Sequence, residues 1–291
     1  MPLPHCKTLP LYTVITLSNF TISSNVDNRT LVCGSLDAKN AAFALQLNHE
    51  DFPPDEYTLE VNGLVTSKSS KVLAGSMAVS SNESLPSNSV SDSASYEILI
   101  DHGDRGAQVK IDPSLSDKCK NTTAELRELS EFLAKRPPTP ENKATPSSNE
   151  PGRTFVLHVK KVNCNGVAIF NVTVDATSSM FDLSDIVITT ELDNIQLILI
   201  NILGPTIHLK NSMNIASSNW FKATRNGRAR TLFHCPNAHY IKLESNWYGA
   251  IVAPGALVEN GHFRVYGTMA VRSLKAKSSI HNPTIKLPVC I

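Results

Sequence analysis

The sequence is poor in the features that most often announce a function. None of its six cysteines forms a C-x-x-C pair; Cys6, Cys33, Cys119, Cys164, Cys235 and Cys290 are spread over all 291 residues. That spacing disfavours zinc and dithiol redox sites and leaves either scattered buried thiols or up to three long-range disulfides. Charge is sparse and balanced, with 27 Lys and Arg against 26 Asp and Glu and a net charge of +1. No basic field is present to attract nucleic acid or an anionic membrane surface. Long apolar runs are missing too. The longest, residues 195–203, is interrupted by Gln196 and Asn201 and is too short to span a bilayer. The opening MPLPHCKTLPLYTVITLSNF lacks a basic stretch followed by an unbroken apolar one, so no signal peptide is visible. The final Cys290 stands one place from the end, which is not a prenylation box.

What the chain does have is a short internal period. Gly249-Ala250-Ile251-Val252-Ala253 is followed eighteen residues later by Gly267-Thr268-Met269-Ala270-Val271, each a glycine opening an apolar run. A period near 18 is too short for helical-pair repeats and too long for a hairpin. It suits one coil of a β-solenoid, in which each turn stacks its strands on the turn below. Early in the chain, Leu31 to Leu36 and Leu73 to Met77 share a pattern that aligns Gly34 with Gly75, an offset near two coils. Only 13 glycines occur, which argues against the tightest Gly-rich repeats.

Between the strand-like halves lie three interruptions. Residues 80–95 are Ser- and Asn-rich without periodicity and read as a loop insertion. Thr122-Thr123-Ala124-Glu125 is a capping box, and Leu126, Leu129 and Leu133 follow on one face, so a helix is expected over 122–135. Residues 136–153 carry five prolines and no hydrophobic pattern, as a disordered connector would. Strands are expected at Phe155 to Val159, Gly166 to Val174, Ile186 to Leu192, Ile195 to Leu203 and Tyr240 to Leu243. Phe221 to Leu232 reads as a hairpin around Asn226-Gly227. The whole is expected to be one all-β domain over 12–282.

The order of these elements resembles the choice-of-anchor A domain, an adhesive module of exported surface proteins. The residues that carry the likeness are Trp247 to Ala256, Asn260-Gly261-His262-Phe263 and Gly267 to Leu274. The early Val32-Cys33-Gly34-Ser35-Leu36 strand and the helix before Leu197 to Leu209 fall in the family's order. The resemblance covers about Tyr12 to Leu274 and implies a right-handed β-helix (β-solenoid) with one α-helix packed alongside, similar to ice-binding proteins. It implies adhesion outside the cell rather than catalysis, although no export or anchor segment is visible.

Candidate sites are few. Lys222, Arg225, Arg228 and Arg230 cluster around the Asn226-Gly227 turn and could grip an anionic glycan, or could simply keep an exposed edge soluble. His234, Cys235 and His239 lie within six residues, but Pro236 breaks their spacing and no further ligands are near, so a buried strand edge is the better reading. Asp101 to Arg105 combines acid, base and glycine with no accompanying catalytic motif. Asp182 and Asp185 offer too few carboxylates for calcium. N-x-S/T sequons occur at Asn19, Asn28, Asn82, Asn121 and Asn171. With 24 Asn and 52 Ser and Thr, chance alone gives about four. They permit glycosylation but do not argue for export. No catalytic, metal or cofactor residue is assigned.

The function expected is therefore non-catalytic extracellular adhesion, to a cell-surface, matrix or wall polymer such as an anionic glycan, with no nucleic acid and no membrane insertion. The alternatives are a polysaccharide-cleaving β-helix enzyme, which needs two carboxylates across a groove, and an ice or crystal-surface binder. The latter needs threonines in register, for which Thr13-x-x-Thr16 is the nearest approach.

Overall fold

The computed structural model describes residues 7–47, 56–85, 98–100, 108–146, 154–173, 181–183, 185–209 and 225–289. Short strands alternate with tight corners, because runs such as Phe20-Thr21-Ile22 bury every second side chain and expose the next. Each turn of chain visits three faces. The first turn supplies Val14–Thr16, Phe20–Ile22 and Asn25–Val26; the second supplies Thr30–Val32, Leu36–Lys39 and Ala42–Phe43. Pairing within the faces is parallel and in register, as in Val14 to Thr30, Phe20 to Leu36 and Asn25 to Ala42.

The order of strands is not the order of the chain. Along the first face it runs Val109–Ile111, Ser76–Val79, Tyr57–Val61, Thr30–Val32, Val14–Thr16, Met269–Ala276, Ala250–Asn260, Thr231–His234, Leu197–Leu203, Val167–Thr173. The described chain thus starts in the middle of the stack and builds outward to one end. A helix, α1 (Leu115–Ala134), follows that outermost strand. The chain then reappears at the opposite end and returns turn by turn until Met269 to Val271 pair with Val14 to Thr16. Ten strands at ~4.8 Å make a face ~43 Å across, and twenty helical residues cover ~30 Å of it.

Two apolar layers hold this together. Inward-facing residues, among them Phe20, Val32, Met77, Phe170, Phe233 and Ile251, fill the space between the faces. Outward-facing residues of the first face, including Ile15, Leu31, Leu197, Leu199, Leu232 and Val252, pack with Leu126, Leu129 and Leu133 of α1. This explains why Leu197–Leu203 is apolar on both sides: one side meets the interior and the other the helix. A disulfide joins Cys33 of the second turn to Cys119 of α1. Near it, buried Glu60 accepts from the Tyr12 hydroxyl and the Lys118 ammonium, with Arg29 3.8 Å away.

The eighteen-residue period is a true stacking interval, since Ile251 pairs with Met269 and Val252 with Ala270. Its two glycines are required. Both have positive φ, +110° at Gly249 and +156° at Gly267, and a Cβ on Gly267 would meet the Gly249 carbonyl oxygen at 2.3 Å. The proposed match of Gly34 with Gly75 fails. Gly34 packs against Ser18 and Gly63 at one corner, whereas Gly75 packs against Thr58 at another.

Other expectations need correction. Helix α1 starts at Leu115, seven residues before the capping box. Its first two turns carry polar residues that hid the periodicity, yet Leu115, Cys119 and Thr122 continue the buried stripe. Thr122 is therefore a packing residue and not a cap. Phe221 to Leu232 does not form a hairpin: Arg225–Ala229 is a short helix, α2, that leads into Thr231–His234. The proline-rich tract is ordered at its start, because Lys143–Pro146 pairs antiparallel with Thr154–Val159, which pairs parallel with Asp185–Thr190. Of the loop insertion, Ser80 to Leu85 is described and includes a short 3-10 turn at Asn82–Ser84.

The disulfide closes a loop across 86 residues of sequence separation. Replacing both Cys33 and Cys119 by serine is expected to lower unfolding free energy by about 4 kcal/mol, read as a lower denaturant midpoint. Adding reductant to the parent protein should reproduce that shift and leave the double variant unmoved.

Candidate functional site

The three faces differ in what they offer a partner. The first is sealed by α1. Beneath the helix, buried His234 sits in a hydrogen-bonded chain: its Nδ1–H donates to Asn201 Oδ1 at 2.8 Å, and the Ser130 hydroxyl donates to Nε2 at 2.7 Å. Asn201 in turn donates to the Leu133 carbonyl and to Asn171 Oδ1. Hydroxyl, imidazole and amide are the residue types of a nucleophile, its base and the base's orienter. Here, however, all three are buried between helix and sheet, so no substrate can approach the hydroxyl. The chain's role is to tie α1 to the sheet. Burial holds the His234 imidazole down to about 3, hence neutral.

The other residues of that short motif diverge. Cys235 lies in the interior layer, its thiol pushed up to about 12 by burial, and His239 is exposed. They do not converge on a point where a metal could sit.

The second face is open. Its outward positions run in register across seven turns as Thr66, Asp37, Thr21, Lys275, Glu259, Lys242 and His208. The charges alternate, and cross-strand neighbours pair. Lys275 Nζ donates to Glu259 at 3.0 Å, the Tyr240 hydroxyl donates to the same carboxylate at 2.8 Å, and Lys242 and His208 both bind Glu244. The Lys242 ammonium, and then His208, hold the Glu244 carboxyl below its ordinary range; Lys275 and Tyr240 do the same for Glu259. Burial and Glu259 push the Tyr240 phenol up to about 12.

Beside this row lies a groove of about 850 Å³. The positions following the inward residues Leu243, Asn260, Ala276, Ile22 and Ala38 form its second row: Glu244, Gly261, Lys277, Ser23 and Lys39. His262 and Phe263 flank Gly261, and the Phe263 ring is 37% exposed.

The third face carries an aromatic ladder. Tyr248 stacks on Tyr266 at 4.9 Å, Tyr266 stacks on His281 at 5.0 Å, and His281 binds the buried carboxylate of Asp27 from the first turn. Arg228 lies over both tyrosine rings. The expected cationic patch is therefore not a free surface where it is described. Arg228 covers the ladder and Arg230 donates to the Ile195 carbonyl at 3.1 Å, whereas Lys222 and the Arg225 side chain lie outside the described residues. Asn19, Asn82, Asn121 and Asn171 are exposed, and Asn28 is half-buried against Arg29 and Asn282. Asp101 to Arg105 and Ser184 lie outside the described residues, as do the side chains of Asp182 and Asp185.

Sequence reasoning missed the groove residues because they come from five separated turns. A signal was available: Lys242, Glu259 and Lys275 are spaced by about one stacking interval, and each alternates with inward apolar neighbours.

The family described as "Putative Ice-binding-like adhesive domain" matches residues 7–282. The chain belongs to this family. Its fold is mostly β-strand with few helices, in largely parallel sheets. No curated protein matches the chain. A crystal structure of an ice-binding protein from the Antarctic ascomycete Antarctomyces psychrotrophicus is similar at 14% identity, over 80% of this chain and 95% of that one, with a TM-score of 0.37. That likeness is too loose to bear on individual residues. Among the described residues no helix is long and apolar enough to cross a membrane.

The depressed His234 value has a consequence for stability. The folded chain leaves this ring unprotonated down to about pH 3, whereas the unfolded chain protonates it near 6.5. Its contribution is thus fully present above pH 6.5 and lost as pH falls toward 3. Thermal melts between pH 7 and pH 4 should show a falling midpoint in the parent, and a shallower fall in His234→Asn.

Proposed function

We propose that this chain is a non-catalytic extracellular adhesive domain of the choice-of-anchor A kind, its turns wound as a right-handed β-solenoid. It binds a cell-surface, matrix or wall polymer through the open second face. The observation that carries this reading is the in-register row of side chains contributed by successive turns, next to a groove that stays open while the first face is sealed. Membership in an adhesive family and the disulfide, which suits an oxidising compartment, support it.

The enzymatic alternative fares worse on chemistry. Cleaving a glycosidic bond needs one carboxyl group kept protonated near neutrality as general acid. Glu244 and Glu259, the two carboxylates lining the groove, are both held ionised by lysines. Ice binding fares worse on pattern. Among the seven outward positions only Thr66 and Thr21 are threonines, and Thr13 and Thr16 are buried.

Labelled full-length chain incubated with intact cells, insoluble wall material and matrix polymers is expected to bind saturably and to release no soluble sugar. Absence of binding to all three at every salt concentration would overturn the reading. In ice assays the chain should give no thermal hysteresis, and a clear hysteresis gap would favour the crystal-surface alternative.

A further inference from the structure

We propose that the groove on the second face is a binding site for an acidic polysaccharide, one bearing uronate or sulfate groups along an extended chain. This rests on the reading of that face as the adhesive surface, and names what it holds. Four lysines line the groove, Lys39, Lys242, Lys275 and Lys277, against two carboxylates, Glu244 and Glu259. Each carboxylate already has its own lysine. Lys39 and Lys277 are exposed, and among the described residues neither has an ion-pair partner. Among the described residues, the groove therefore carries positive charge that no ion pair offsets, although the chain as a whole is near neutral.

The arrangement of these charges points to a polymer. Glu244, Gly261, Lys277, Ser23 and Lys39 stand at or just past the ends of five adjacent strands, so the row is four steps of ~4.8 Å, or ~19 Å, long. That exceeds a single sugar or a free anion. Lys277 and Lys39 lie two strands apart, ~10 Å, and meet an extended polyanion at two separate points.

The rest of the lining suits a sugar rather than a nucleic acid or a lipid surface. Gly261 leaves one position of the floor bare: a Cβ placed there meets nothing closer than the Leu243 carbonyl at 3.9 Å and the Phe263 ring at 4.0 Å. A pyranose laid on that floor rests against the exposed Phe263 ring, which offers an apolar stacking surface. The fixed carboxylates of Glu244 and Glu259 and the hydroxyls of Thr21 and Ser23 are acceptors for sugar hydroxyls. A phosphodiester backbone offers those carboxylates few hydroxyl donors, whereas a sugar chain presents them between its acidic groups.

The test is titration of the full chain with polygalacturonate, with heparin and with a neutral β-glucan, by calorimetry or affinity electrophoresis at low and high salt. At least one of the two acidic polymers should bind, weakening at high salt, while the neutral glucan does not. Lys39→Ala with Lys277→Ala should weaken that binding about tenfold or more. Gly261→Gln fills the floor without backbone strain, and should weaken it comparably with an unchanged melting temperature. Comparison of polygalacturonate with heparin distinguishes uronate from sulfate recognition. Acidic-polymer binding that all these variants leave intact overturns the groove as the site. Binding to the neutral glucan alone overturns the ligand class. If none of the polymers binds but the chain still adheres to cells, this proposal fails and the adhesive reading stands. If the chain adheres to nothing, both fail.

Discussion

Everything in this fold depends on the first turn pairing with the last. Val14, Ile15 and Thr16 hydrogen-bond in register with Met269, Ala270 and Val271, and the Thr268 hydroxyl donates to the Tyr12 carbonyl across 256 residues of sequence. Without that seam the N-terminal turns and the C-terminal turns would be two short stacks, each with an open edge of unpaired backbone groups. With it they become one continuous face of ten strands. The third face is sewn at the same place, where Ile280 pairs with Val26 and His281 reaches Asp27. Contacts this distant in sequence carry a large loop-closure cost and form late, so local strand pairing within each half is the natural earlier step.

Such a seam requires something to carry the chain from one end of the stack to the other, and α1 lies along that path. It also seals the outward side of the first face, which would otherwise expose Leu31, Leu197, Leu199 and Leu232 to water. Three kinds of interaction hold it there: the leucine stripe, the Cys33–Cys119 bond, and buried polar links through Glu60 at one end and His234 at the other. Glu60, Ser130, Asn201 and His234 all find partners there, which is the condition for polar atoms to lie beneath a helix at tolerable cost. Sealing one face leaves the work of recognition to the others. Of these, the second presents rows of charged side chains at the regular spacing of the turns.

The regularity of that surface follows from the backbone. Parallel in-register stacking places equivalent positions ~4.8 Å apart, so residues distant in sequence become a row without any motif linking them. Lys39 and Lys277 lie at opposite ends of the chain yet belong to one groove, solely because the seam brings the second turn within two strands of the last. The same geometry places Lys242, Glu259 and Lys275 side by side, so that opposite charges alternate and the face stays soluble without losing net positive charge in the groove.

The sequence by itself determined the strand-rich class, the stacking interval near the C-terminus and the positions of several of the longer strands. Gly249 and Gly267 mark a corner that only glycine can turn, and the alternation in Tyr240–Leu243 and the doubly apolar Leu197–Leu203 are local patterns. It placed a helix correctly in kind but misjudged its start, because Cys119 is buried by its bond to Cys33 and the half-exposed Lys118 is drawn to Glu60, both reasons that lie elsewhere in the chain. The Asn226-Gly227 turn signal yielded to a short helix whose Arg228 is drawn over two tyrosines from other turns. Only the tertiary structure decided the spatial order of the turns, the partner of Cys33 and the membership of the groove. The physical reason is that local periodicity fixes which side chains point outward, whereas the pairing of chain-distant strands fixes which of them meet.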